Sequence, residues 1–311
     1  MKRVVLIGFY GCGNLGDDAM LYALLPHRDR CLLTVALGKE PLCGFTLPRG
    51  VRAVYRKGIR LLFSILRSHA VVFGGGSLLQ NRTGQASLCY YLFLIFFSKL
   101  LCKRVYLVSS GLGPIRGRLS AYLCGRAIAL CDGVTMRDGR AVALSEHLSG
   151  KKVGYAPDLA YRLSPASLPS SLLLPKRYIL VIPRKRTGIS ASLFAEEVMR
   201  QAKRHRAAVL IADFFKKEDR EYTALLISHL SSLGLVAMLL PTISPCEMLT
   251  VVQNAEKVFT MRYHGAVFAD RLSVPFRVYG NDPKLLAVGN GGRNVRETFS
   301  AKVSLKPFKN L

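Results

Sequence analysis

Residues 2–18 read KRVVLIGFYGCGNLGDD: a short apolar run, closely spaced glycines, then two aspartates that open a segment of helical periodicity. Lys2 and Arg3 ahead of apolar residues resemble the start of an export signal. The run is shorter than the ~7–15 apolar residues such a signal needs, and no small-residue cleavage site follows. It predicts instead a first buried strand over residues 4–9, turning through glycine into a helix. A strand, a tight turn at its carboxyl end and a helix are the repeating unit of a parallel α/β sheet.

The same pattern recurs along the 311 residues. Strands are predicted over 32–37, 70–73, 105–109, 133–136 and 153–156, and helices over 19–25, 60–67, 88–101, 118–130 and 139–148. Residues 163–171, LSPASLPSS, hold Ser and Pro without charge and read as a linker. A second series follows, with strands over 178–182, 208–212, 236–240, 257–260 and 276–279. Its helices are predicted over 193–205, 218–233, 245–253 and 266–272. The expected fold class is therefore α/β, with two Rossmann-like domains, residues 1–165 and 175–311, facing a cleft in a GT-B-like arrangement. Ligands of such sheets bind where strand carboxyl ends face one another.

Half the residues are hydrophobic, which excludes a disordered chain. The longest apolar stretch, 88–102, contains Ser98 and Lys99 and falls short of the ~20 residues of a spanning helix. Eight cysteines form no CxxC pair and no Cys/His spacing of a zinc site, so reduced thiols in a cytoplasmic protein and no metal are expected. The net charge is +26, and residues 41–131 carry thirteen Lys or Arg and no Asp or Glu. That stretch suits an anionic surface such as lipid headgroups, at the inner face of the cell membrane for a cytoplasmic protein. A generally basic composition without such a partner is the competing account. The aromatic residues sit in apolar runs instead of alternating with cations, so no nucleic-acid partner is expected.

Gly11 to Gly16 formally match G-x-G-x-x-G, a dinucleotide signature. Asp17 and Asp18 would meet a pyrophosphate with like charge, and no acid closes the second strand except Glu40, a little late. The open alternatives are that Asn14 and Asp17 bond an acceptor or that they cap the helix. Gly74-Gly75-Gly76-Ser77 again follows a strand, where bare backbone N–H groups suit close approach to an anion. Arg137, Arg262 and Arg184 stand at strand ends, good places to hold carboxylate or phosphate. Of six histidines, His264 alone lies at a strand–glycine–helix junction beside an arginine.

Together these motifs resemble the polysaccharide pyruvyl transferase family: residues 8–18, residues 74–80 (GGGSLLQ), residues 111–114 (GLGP), Arg137-Asp138, Pro157-Asp158, residues 262–265 (RYHG) with Phe268-Ala269, and Asp282-Pro283-Lys284. The likeness runs over essentially the whole chain. Asp18, Asn81, Tyr263 and Asn281 depart from the residues usual there, which are Glu, Asp, Leu and an aromatic. The resemblance implies phosphoenolpyruvate as donor, a glycan or lipid-linked sugar as acceptor, and no cofactor. It implies His264 as general acid, since an imidazole titrates near neutrality. Arg137, Arg262 and Lys284 would hold the donor, while Asn14, Asp17, Gly75, Gly76 and Ser77 would lie on the acceptor side. A nucleotide-sugar glycosyltransferase of the same architecture and a non-enzymatic basic protein binding membrane or nucleic acid are the rival readings.

Overall fold

The computed structural model describes residues 1–82 and 84–291, with side chains to residue 288. The first sheet is built from β1 (Lys2–Ile7), β2 (Cys31–Leu37), β3 (Arg52–Tyr55), β4 (Ala70–Gly74), β5 (Arg104–Ser110), β6 (Gly133–Met136) and β7 (Gly154–Tyr155). Its order is β3-β2-β1-β4-β5-β6-β7, and every pairing is parallel. Helices α1 (Leu15–Leu24), α2 (Ile59–Leu66), α3 (Gln85–Leu100), α4 (Arg118–Leu130) and α5 (Gly139–Ser149) supply the crossovers. The second sheet contains β8 (Tyr178–Ile182), β9 (Ala208–Ile211), β10 (Ala237–Leu239), β11 (Lys257–Thr260) and β12 (Phe276–Val278), in the parallel order β10-β9-β8-β11-β12. It carries α6 (Ala191–His205), α7 (Lys216–Ser232), α8 (Pro245–Gln253), α9 (Tyr263–Leu272) and α10 (Pro283–Gly291). Two parallel α/β sheets are the architecture that the sequence leads one to expect.

The period of two in a strand decides where the cores lie. In β1, Val5 and Ile7 join a layer with Leu61 and Ile65 of α2, Leu88 and Ile95 of α3 and Ile128 of α4. Val4 and Leu6 face the other way, into a core shared with α1, with Leu180 of β8, with Leu249 of α8 and with Phe268 of α9. That second core joins the two sheets. A third covers the outer face of the second sheet with α6 and α7.

Residues 163–177 do not hang free. Ala166 N donates to Cys246 O at 3.0 Å, Thr250 Oγ1 donates to Ala166 O, and Leu168, Leu172 and Leu174 pack against the shared core. Two elements lie outside the sequence-based expectation: the edge strand β3 and the helix α10. Among the described residues no helix is long and apolar enough to cross a membrane.

Candidate active site

The site begins with α1. Asn14 is its N-cap, accepting from Gly16 N at 3.0 Å, and Asp18 braces the preceding loop by accepting from Gly11 N and Cys43 N. The first bond satisfies a helix-start donor that otherwise has no partner, and the other two tie loop N–H groups on either side to α1. Asn14 Oδ1 and the Asp18 carboxylate thereby hold structure, and the loop is pinned to the second sheet where Leu15 N donates to Phe214 O at 2.8 Å. Asp17 remains within reach of ligand chemistry. Burial pushes its carboxyl up to about 6, against the opposing pull of His264 and Arg137.

His264 lies in the first turn of α9, behind the N-cap residue Arg262. Its ring closes so tightly on α1 that a Cβ at Gly16 would collide with Nδ1. Its Nε2 is buried, 3.6 Å from Asp158 Oδ2, at ion-pair range but beyond a hydrogen bond. The same Asp158 oxygen accepts from Arg137 Nη1 at 2.6 Å. Burial pushes the Asp158 carboxyl up, but His264 and Arg137 outweigh it and hold it well below the usual carboxylate range. Asp158 is fully buried and also caps the short 3-10 helix Leu159–Arg162 through Ala160 N.

Arg137 follows β6, and its guanidinium lies 4.2 Å over the Tyr263 ring. Its Nη2 donates to Ser77 Oγ at 3.2 Å, and its buried Nε has no hydrogen-bond partner in the protein. Ser77 Oγ also accepts from Lys284 Nζ at 2.6 Å, and Lys284 donates to Gly113 O at 2.8 Å. Burial, with Arg137 nearby, brings the Lys284 ammonium down to about 8. Asp282 holds the start of α10 by accepting from Lys284 N, and it pairs with Arg82 at 3.1 Å and Arg184 at 3.5 Å.

Of the residues singled out from sequence, His264, Arg137, Lys284, Asp17, Gly76 and Ser77 therefore converge. A Cβ at Gly76, whose φ is +71°, would stand 3.4 Å from Asp17 Oδ1, so this loop passes directly over that carboxylate. Ser77 is in contact with the expected donor cations, not apart from them. Gly75 packs on Met20 in the floor. Arg262 stands differently. Its Nε and Nη2 are taken by Asp219 at 2.9 and 2.6 Å, Glu218 lies at 3.3 Å, and the guanidinium covers the Phe215 ring.

Sequence reasoning gave no role to Asp158, Asp219 or Tyr263. The first was visible only as the Pro157-Asp158 pair; Asp219 meets Arg262 from another helix of the second sheet and Tyr263 meets Arg137 from the other half of the molecule, and neither contact has a local signature. Among the described residues no group of three His, Cys, Asp or Glu side chains could hold a metal ion.

A model of the family described as polysaccharide pyruvyl transferase matches residues 14–283. A search of curated proteins finds no match. Among solved structures, a putative UDP-N-acetylglucosamine 2-epimerase from Listeria monocytogenes is similar with a TM-score of 0.63 and 11% identity, over 93% of this chain and 82% of that one. The UDP-N-acetylglucosamine 2-epimerase from Rickettsia bellii gives 0.56 and 11%, over 97% of each chain. Anabaena HepE in complex with UDP and glucose gives 0.57 and 10%, over 96% and 91%. At such identities these likenesses establish the GT-B fold and nothing about substrate.

Proposed function

The chain belongs to the polysaccharide pyruvyl transferase family, and from that premise we propose that it transfers the pyruvyl group of phosphoenolpyruvate to two hydroxyls of a glycan or lipid-linked sugar, forming a ketal and releasing phosphate. One observation carries the reading: His264, Asp158, Arg137, Ser77 and Lys284 form a continuous chain of contacts, buried at Asp158 and Arg137 and half-buried at the other three, a proton donor beside two cations. A dianionic donor with a separate carboxylate needs such a pair of cations. In this reading Arg137 and Lys284 bind the donor from opposite sides of Ser77. Arg262, whose fork already grips Asp219, holds the start of α9 in place, and it would touch the donor only if that pair opened.

The chemistry follows from these roles. His264 gives a proton to the methylene carbon of the donor, leaving C2 an oxocarbenium-like centre. The first sugar hydroxyl attacks C2, and Asp17, whose carboxyl titrates at about 6, takes its proton. The C2–O bond to phosphate breaks with the electron pair passing to phosphate, whose charge Arg137 and Lys284 stabilise. The second hydroxyl then closes the ketal, its proton leaving with the phosphate. The cation-rich, acid-free stretch would hold the enzyme at an anionic membrane surface on the cytoplasmic side, where a lipid-linked acceptor resides.

Incubation with phosphoenolpyruvate and a panel of sugar acceptors, read by phosphate release and product mass, tests the reading. His264→Gln is expected to lower turnover by about 10²–10⁴-fold while donor binding persists. Normal turnover in that variant, or release of a nucleotide from a sugar nucleotide in place of phosphate, would overturn it. The second of those results would favour the nucleotide-sugar glycosyltransferase instead.

A further inference from the structure

At the start of α1, against Gly13 and Leu15, lies a cavity of about 190 Å³ that the proposed chemistry does not use. Its walls come from both halves of the molecule: Leu15 at the start of α1, Leu42 after β2, Leu240 and Ile243 after β10, and Met248 on α8. We propose that it is an acceptor subsite for an aliphatic group, the alkyl or isoprenoid segment attached to the sugar that is modified. The inference rests on the proposed pyruvyl transfer and names the kind of acceptor.

Three observations select this occupant. The size is right: a 150 Å³ apolar cavity accommodates benzene, so this one takes a chain segment of several carbons. No lining side chain is aromatic, so a nucleobase would lack a ring to stack on. The charged lining groups are two cations, Lys216 and Lys217, against two acids, Glu40 and Asp213, with no net preference for an anion. The aliphatic walls are what remains specific. Position links the cavity to the reaction, because Gly13 and Leu15 of its lining bracket Asn14 and adjoin Gly16, on which the His264 ring rests. In the proposed binding mode a chain seated here runs out past the start of α1, so that its sugar reaches Asp17 and His264.

Calorimetric titration of the full chain with methyl, butyl, hexyl and octyl glucosides below their micellar concentrations tests the proposal. Affinity is expected to rise by up to about fourfold per methylene until the chain outgrows the cavity. Two variants that plug it from opposite walls, Leu42→Trp and Thr242→Trp, should flatten the series while melting as wild type does. The acceptor KM in the coupled reaction should follow the same trend. Binding independent of chain length in the wild type, or an equal gradient in both plugged variants, overturns the subsite. A gradient that the plugs abolish, without phosphate release from any acceptor, keeps the subsite and removes the pyruvyl-transfer reading.

Discussion

Lys284 is the residue whose surroundings make the sharpest statement about pH. An ammonium brought down to about 8 by burial is charged below that value and neutral above it, so the donor loses one of its two cations as pH rises. The KM for phosphoenolpyruvate is expected to climb above about pH 8. Lys284→Arg, whose charge persists to far higher pH, should remove that climb even if it raises KM throughout. A flat donor KM in the wild type from pH 7 to 9.5 would take Lys284 out of donor binding. Tyr263 marks a departure from the family pattern, and the geometry explains it: the ring forms the platform beneath the buried Arg137 guanidinium. Replacing it by the usual Leu should cost about 1–2 kcal/mol of stability, the worth of a desolvated cation–π contact, with kcat largely kept. A melting temperature unchanged in Tyr263→Leu would show the contact to be idle. Other departures are structural in effect, since Asn81 donates from Nδ2 to Arg116 O and accepts from Arg116 N at Oδ1, and Asp18 braces the first loop. Local chemistry made His264 and Arg137 legible in the sequence. It could not show that the Arg262 fork is filled by Asp219, because that partner lies on another helix, 43 positions away.

At the scale of elements, the site exists because two helix starts meet: α1 of the first sheet and α9 of the second. Gly16 is where the His264 ring meets α1, so Gly16→Ala isolates the contact. Alanine favours the helix by about 1 kcal/mol, yet its Cβ cannot coexist with the His264 ring where it stands. The expected outcome is a protein that melts near the wild-type temperature and turns over ~10²-fold more slowly, the usual cost of displacing a reacting group by about an ångström. Wild-type kcat in Gly16→Ala would mean that the ring has room to move and that its position is not critical. The strands were legible because buried apolar runs separated by glycine loops leave few alternatives, and β6, β8, β11, α4 and α8 begin and end where the pattern predicts. The failures have physical reasons. Arg52–Tyr55 is a short edge strand with three of four residues exposed, so no apolar alternation marks it. Helix α10 contains two glycines, and its first residues are held by Asp282 and by Lys284 reaching Ser77 across the cleft, not by propensity. Helices α1 and α9 start earlier than periodicity suggests because Asn14 and Arg262 occupy the cap positions.

For the molecule as a whole, topology gives the uneven charge a direction. Residues 41–131 span β3 to the end of α4, and the helices in that span, α2, α3 and α4, all pack in the layer on one face of the first sheet. Helix α1, with its two aspartates, and the second sheet lie on the opposite face. Of the thirteen cations only Arg56, Lys99 and Lys103 are withdrawn from full exposure, Arg56 being enclosed by Phe9, Tyr90 and Tyr91. The aromatic-rich α3 is mainly a core helix, with Tyr91, Leu92, Leu94 and Ile95 buried. The outward apolar face belongs instead to α2, where Ile59, Phe63 and Leu66 are 64%, 54% and 48% exposed at helical spacing. Arg52, Lys57, Arg60 and Arg67 stand exposed on and around it. An apolar ridge rimmed by cations fits an anionic bilayer, each cation adding roughly 1 kcal/mol within a Debye length of ~8–10 Å. Four such charges and three inserted side chains suffice for reversible association. Co-sedimentation should therefore require anionic vesicles, weaken as salt rises, and fall sharply both in Phe63→Ser and when Arg52, Lys57, Arg60 and Arg67 are neutralised together. Arg56 must be left out of that set, because removing a buried guanidinium would test stability and not docking. Equal pelleting with neutral and anionic vesicles would assign the attraction to the apolar ridge alone. Binding that survives both variants would place the membrane face elsewhere on the molecule, and no pelleting with either vesicle would leave the basic face without a bilayer partner.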